Sequence, residues 1–222
     1  MKSLNFKKVV ACASLLAAAF TANANDYSNV YVFGDSLSDN GNLHALAPES
    51  TYGERFTNGP VAVEIVAGAL GFALTPSHHL LGGTSGNNFA IAGAKAIDDD
   101  NDESTPDINL PTQVNAFLAI NGGVAPSDAL YIMLIGGNDI RAAREIRSAA
   151  VFAATPSERQ AIRQAANESL NTAVASEQAQ LLKLIAAGAT NILVSNAPDI
   201  GAIPETDLVA AGLLENAQTN RQ

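Results

Sequence analysis

Residues 129–135 read Ala-Leu-Tyr-Ile-Met-Leu-Ile, a run in which only the tyrosine side chain carries an oxygen or nitrogen. A strand wetted on one face alternates apolar and polar residues, so an unbroken run of this kind belongs to a strand covered on both faces. The cover must be helical, and helical patterns flank the run. Residues 60–70 begin with proline and are followed by Gly71, and residues 111–120 place Val114, Phe117 and Leu118 at helical spacing. Thr155-Pro156-Ser157-Glu158 is a capping box with proline at the first helical position. The pattern behind it runs to Ala187, with Ile162, Ala166, Leu170, Val174, Leu181 and Ile185 as its apolar stripe and Gly188 as the stop. Further strands read at 29–33, at 88–91 and, again as a buried one, at 191–195. Strands alternating with helices and without hairpin signals predict an α/β fold with a parallel sheet, in one domain.

Residues 1–24 stand apart from that pattern. Lys2, Lys7 and Lys8 precede an apolar stretch, 9–22, too short to span a bilayer, and Ala22-Asn23-Ala24 is a small-x-small cleavage signal. This is the pattern of an export signal, which leaves residues 25–222 as the folded domain and predicts an exported protein: secreted, periplasmic or on the surface of a Gram-negative bacterium. The single cysteine, Cys12, lies within the signal, so no disulfide is expected in the domain. Val9-Val10-Ala11-Cys12 has the look of a lipoprotein site, but the apolar region continues after the cysteine instead of preceding it, which argues against lipidation. Three of the 12 basic residues and none of the 22 acidic ones fall in the signal, so the domain carries −13. Such a charge disfavours nucleic acid and anionic membrane as partners, and no later run is long and apolar enough for a transmembrane helix. Residues 98–107 hold six acidic residues in ten, yet lack the glycine and terminal glutamate of a calcium loop, so they read as a solvated loop and no metal is expected.

The chemistry is concentrated where predicted strands end. Residues 31–40 run Tyr-Val-Phe-Gly-Asp-Ser-Leu-Ser-Asp-Asn, an apolar strand stopping at a glycine turn. Ser36 there sits at the carboxyl edge of a sheet, where open α/β folds bind ligands and where a nucleophile belongs. Asp35 and Ser36 would equally serve as caps of a following helix. Acyl transfer through serine also needs donors for the oxyanion. Gly93, after the strand at 88–91, offers a backbone N–H with no side chain in the way, and Asn138, in Gly136-Gly137-Asn138-Asp139, offers a side-chain N–H. Taken alone, Gly93 is a strand-to-loop turn and Asn138 a helix cap; taken together, three such sites after three strands open onto one crevice.

These blocks resemble the GDSL, or SGNH, family of serine esterases and lipases. Gly34-Asp35-Ser36-Leu37-Ser38-Asp39 is similar to the first block of the family, Asn88-Phe89-Ala90-Ile91-Ala92-Gly93-Ala94 to the second and Gly136-Gly137-Asn138-Asp139 to the third. Arg55-Phe56-Thr57-Asn58-Gly59-Pro60 and residues 191–201 resemble the longer, secreted members, some of them autotransporter passengers. The resemblance implies a three-layer, flavodoxin-like sandwich, an ester substrate and no cofactor. It also implies Ser36 as nucleophile and an oxyanion hole from the Ser36 N–H, the Gly93 N–H and the Asn138 side chain. The general base of the family comes from a late Asp-x-x-His block, and the histidines here, His44, His78 and His79, all precede the third block. The base and its aspartate are therefore expected to be absent from this chain, along with the last elements of the sheet and any membrane barrel behind them. His44, just after the nucleophile turn, is a weaker substitute than a base supplied from further sequence. The competing expectation is an inactive truncated product or a non-catalytic passenger piece that keeps the crevice without turnover.

Overall fold

A computed structural model describes residues 27–49, 53–97 and 106–204. The expected export signal at 1–24, with Cys12, and most of the acidic stretch at 98–107 lie outside the described residues, as does the chain beyond 204 on which the expectation of missing sheet elements bears.

Three parallel strands, β1 (Val30–Gly34), β2 (Leu130–Leu134) and β3 (Asn191–Val194), lie in the order β1-β2-β3. Val30 stands opposite Leu130 and Leu130 opposite Asn191, so the carboxyl ends of all three strands point the same way. The helices are α1 (Asn42–Leu46), α2 (Ala62–Ala69), α3 (Leu110–Ile120), α4 (Gly137–Ser148) and α5 (Pro156–Ala187). None of the described helices is long and apolar enough to cross a membrane.

Alternation along β1 sends Val30 and Val32 to one face and Tyr31 and Phe33 to the other, and each face has its own core. Val30 and Val32 pack with Val63 and Ala67 of α2; Tyr31 and Phe33 pack with Phe117 of α3 and Leu184 of α5. Helices on both faces of a parallel sheet make the expected three-layer α/β arrangement. Phe117 is the hub of the second core, its ring 4.8 Å from Tyr31, 5.6 Å from Phe33 and 5.7 Å from Phe89, in edge-to-face contacts. The buried Tyr131 satisfies its hydroxyl by donating to the Pro126 carbonyl at 2.8 Å.

Four expectations are revised. The segment at 88–91 runs parallel beside β1, with Phe89 N–H donating to Val32 O (2.8 Å) and Ile91 N–H to Gly34 O (3.1 Å), but it does not form a regular strand. Asn88 Oδ1 takes the Ala90 N–H locally, and on the far side pairing is confined to a single bridge, with Asn88 N–H on Thr75 O and Ser77 N–H on Asn88 O. β3 is an edge strand among the described residues and is not buried: Leu193 and Val194 are 49% and 44% exposed. On α5, Val174 and Ile185 face outward, while Ala166, Ala173 and Leu184 are buried. Each four-residue step overshoots a helical turn by about 40°, so the run 162-166-170-174 drifts off the core face and the stripe steps back by three, to 173. Finally, Asp35 and Ser36 do not cap a helix; they lie in a turn, and α1 begins only at Asn42.

Candidate active site

β1 ends in a glycine because β2 passes too close for a side chain. A Cβ on Gly34 would lie 2.2 Å from the Leu134 carbonyl oxygen. Gln113 of α3, fully buried, completes the strand end like a neighbouring strand: its Oε1 accepts from Gly34 N–H and its Nε2 donates to Gly34 O, both at 2.9 Å. The chain then reverses. Ser38 N–H and Asp39 N–H both return to the Asp35 carbonyl at 3.0 Å, and Leu37 N–H donates to Asp35 Oδ1 at 3.0 Å. Ser36 sits half-buried on the outside of this bend, beside the exposed Leu37. The Asp35 carboxyl is enclosed, and burial raises its pKa, against the Leu37 hydrogen bond and with the charge of Asp139 adding to the rise.

Asp39 ties this turn to the next sheet-edge loop. Its Oδ1 accepts from the N–H groups of Gly41 (2.9 Å) and Asn42 (2.8 Å), and its Oδ2 from those of Leu43 (3.1 Å) and Ala92 (2.8 Å). Buried asparagines run alongside: Asn88 Nδ2 donates to Ser38 O, and Asn42 Nδ2 donates to Asn88 O and Ala90 O. Gly93 follows Ala92 with φ +91°, exposed between two buried alanines. Among the described residues, neither the Ser36 nor the Gly93 backbone N–H has a hydrogen-bond acceptor.

Asn138 lies in the first turn of α4, directly after β2, and its Nδ2 donates to the Ala94 carbonyl at 2.8 Å. The same loop is gripped twice more. Asp139 accepts from Ala96 N–H at 2.9 Å, and Ser176 Oγ of α5 donates to Ala96 O at 2.6 Å. Burial raises the Asp139 pKa, with the Ala96 and Ile97 N–H groups opposing it. Ser36, Gly93 and Asn138 thus follow the carboxyl ends of three adjacent parallel segments. One sheet edge carries a hydroxyl, two backbone N–H groups without acceptors and an amide, the parts needed to attack a carbonyl and hold its oxyanion.

The histidines are engaged elsewhere. His79 Nδ1 and Ser77 Oγ are 2.7 Å apart, its ring packs on Phe89 at 5.5 Å, and burial lowers its pKa to about 4. His78 adopts a left-handed conformation, with its N–H on Asn42 Oδ1, and His44 Nδ1 is buried without a partner among the described residues. None of the three forms a hydrogen bond with Ser36. Among the described residues no cluster of three or more His, Cys, Asp or Glu could hold a metal ion.

Asp39 and Gln113 were not singled out from the sequence. Gln113 had a signal: a polar residue four before Phe117 and three after Leu110, on the buried face of α3. Asp39 had one too, three residues before the start of a short helix. A cavity of about 250 Å³ lies along α4 from Ile140 to Arg147, walled by Ala143 and Arg144 and closed by Ala166 and Leu170 of α5 and by Ile200.

The family model described as GDSL-like Lipase/Acylhydrolase matches residues 30–222. The chain is 31% identical over 190 residues to Lipase 1 of Photorhabdus luminescens, which covers 86% of this chain and 25% of that protein. It is 29% identical over 176 residues to a GDSL esterase/lipase of Arabidopsis thaliana, covering 63% of this chain and 45% of the relative. An uncharacterized protein of the trpE-trpG intergenic region in Pseudomonas putida is 32% identical over 155 residues, 59% of this chain and 24% of its own length. The chain spans less than half the length of each of these curated relatives.

Proposed function

The chain belongs to the GDSL-like lipase/acylhydrolase family, and from that premise we propose that it hydrolyses carboxylic esters through an acyl-serine intermediate. Ser36 Oγ forms the new bond to the ester carbonyl carbon and gives its proton to a base. The oxyanion is met by the N–H groups of Ser36 and Gly93 and by the Asn138 amide. Collapse of the adduct breaks the bond to the alkoxy oxygen, which leaves as the alcohol with the proton. Water then attacks the acyl-serine by the same route in reverse and releases the carboxylic acid. The observation that carries this reading is the convergence of Ser36, Gly93 and Asn138 on one sheet edge, with the two backbone N–H groups lacking acceptors among the described residues.

A serine hydroxyl needs a base near neutral pH. Because His44, His78 and His79 make no hydrogen bond to Ser36, we place the base and its aspartate outside these 222 residues. The charge and apolar pattern of residues 1–24 supports export, and the resemblance to secreted members supports an autotransporter-like arrangement with a barrel beyond this chain.

The test is hydrolysis of nitrophenyl butanoate by the purified chain and by its Ser36→Ala variant, each alone and with a carboxyl-terminal segment carrying Asp-x-x-His fused to it. The proposal expects turnover that requires Ser36 and rises when an Asp-x-x-His segment is supplied. Equal rates for the two proteins in both formats would mean a non-catalytic domain.

A further inference from the structure

Among the described residues, Asp39 is the one side chain that binds both the segment following Ser36 and the residue preceding Gly93. Its carboxylate is almost fully buried and takes four backbone N–H groups, two per oxygen. Three of the four lie on Gly41, the N-cap of α1, and on Asn42 and Leu43 in its first turn, and are local to the start of that helix. The fourth, on Ala92, comes from 53 residues away and has no part in capping. Its donor is one peptide unit from the Gly93 N–H, so the direction of the Gly93 amide depends on where Ala92 is held. The opposite end of the strut is as short: Asp39 N–H returns to the Asp35 carbonyl, closing the turn that presents Ser36. The turn carrying Gly93 is closed by the Ala94 N–H on the Ile91 carbonyl, and beyond Gly93 the loop is pinned through Asn138 to Ala94, Asn109 to Lys95, and Asp139 and Ser176 to Ala96. Before Gly93, Asn42 and Asn88 hold Ala90, and Ala92 itself is held by Asp39 alone among side chains of the described residues.

Resting on the esterase reading above, we propose that Asp39 is a positioning residue that fixes the Gly93 N–H against Ser36, so that nucleophile and oxyanion donor share one carboxylate as their common frame. Catalysis by preorganised donors depends on placement: a displacement of about 1 Å can cost about 100-fold in rate without weakening substrate binding.

The experiment compares Asp39→Ser and Asp39→Asn with the unaltered full chain. Serine retains a hydroxyl able to cap α1 but cannot reach Ala92; asparagine restores the length of the side chain and half its acceptors. Two quantities are read: amide hydrogen exchange at Ala92 against Tyr131 in the core, and kcat and KM for nitrophenyl butanoate. In Asp39→Ser the Ala92 amide should exchange about tenfold faster while Tyr131 is unchanged. Its kcat should fall about 10- to 100-fold with KM within about twofold, and asparagine should recover part of both changes. Unchanged exchange at Ala92, or exchange at Tyr131 rising in step with it, overturns the proposal, as does an unchanged kcat with a loosened Ala92. If Asp39→Ser does not fold, Asp39→Asn is judged by the same two readouts. If the unaltered chain is no faster than Ser36→Ala both alone and with an Asp-x-x-His segment supplied, the esterase reading fails, and the exchange result alone decides whether Asp39 holds Ala92.

Discussion

Asn138 Nδ2 donates to the Ala94 carbonyl at 2.8 Å, joining the first turn of α4 to the loop that carries Gly93. A primary amide has two N–H donors, so this bond orients the group and leaves the second N–H for a ligand. Removing the amide by Asn138→Ala should lower kcat by about 100- to 1,000-fold, the usual effect of losing an oxyanion donor, with KM changing much less. Steady-state kinetics on a nitrophenyl ester checks this, and a raised KM with kcat unchanged would place Asn138 in substrate binding instead.

Gly93 has a φ of +91°, and a Cβ there would also touch Ile108 Cδ1 at 3.4 Å. Gly93→Ala should therefore destabilise the fold by about 1–2 kcal/mol. It should also depress kcat, because any relaxation turns the amide away from Ser36. Urea unfolding and ester kinetics on the same preparation measure the two effects separately.

Gln113 serves both backbone groups of Gly34 from a fully buried position. Gln113→Ala leaves a buried N–H unpaired, and the Gly34 carbonyl keeps only its bond from Ile91. The expected loss is about 2–4 kcal/mol in chemical unfolding, from the unsatisfied groups together with the vacated volume.

His79 gives the fold a pH dependence of known sign. Burial lowers its pKa from 6.5 to about 4, so the unfolded chain takes up the proton first as pH falls. Its contribution to stability is complete above pH 6.5 and is lost as pH falls through about 4. The raised Asp35 and Asp139 act the other way: their contribution is present below 3.8 and is lost as pH rises through their folded values. His79→Phe keeps a ring against Phe89 and removes the titration. Its unfolding midpoint should therefore fall less than that of the unaltered chain between pH 6.5 and about 4, measured in urea at each pH.

The run 129–135 and the ends at Gly34, Gly93 and Asn138 were legible because period, punctuation and strand order are local properties. The parallel sheet and the shared edge follow from them. What was illegible depends on partners distant in sequence. Nothing near Asp39 announces a bond to Ala92, and nothing near Gln113 announces Gly34. The exposure of Leu193 and Val194 has the same origin, since an apolar strand looks the same in sequence at an edge and at a centre. α4 shows in sequence only as the alternative reading of Asn138 as a cap, because its few apolar residues, Ile140, Ala142, Ala143 and Ile146, are set among arginines and its buried face is small or polar.

The central claim is that Ser36 carries the acyl group. Mixing the chain with nitrophenyl butanoate, quenching in acid and mapping peptides by mass spectrometry tests it without requiring complete turnover. The account predicts a butanoyl increment on the peptide containing Ser36, localised to that side chain and lost in Ser36→Ala. An increment on another residue, or one that persists at the same level in Ser36→Ala, would contradict it.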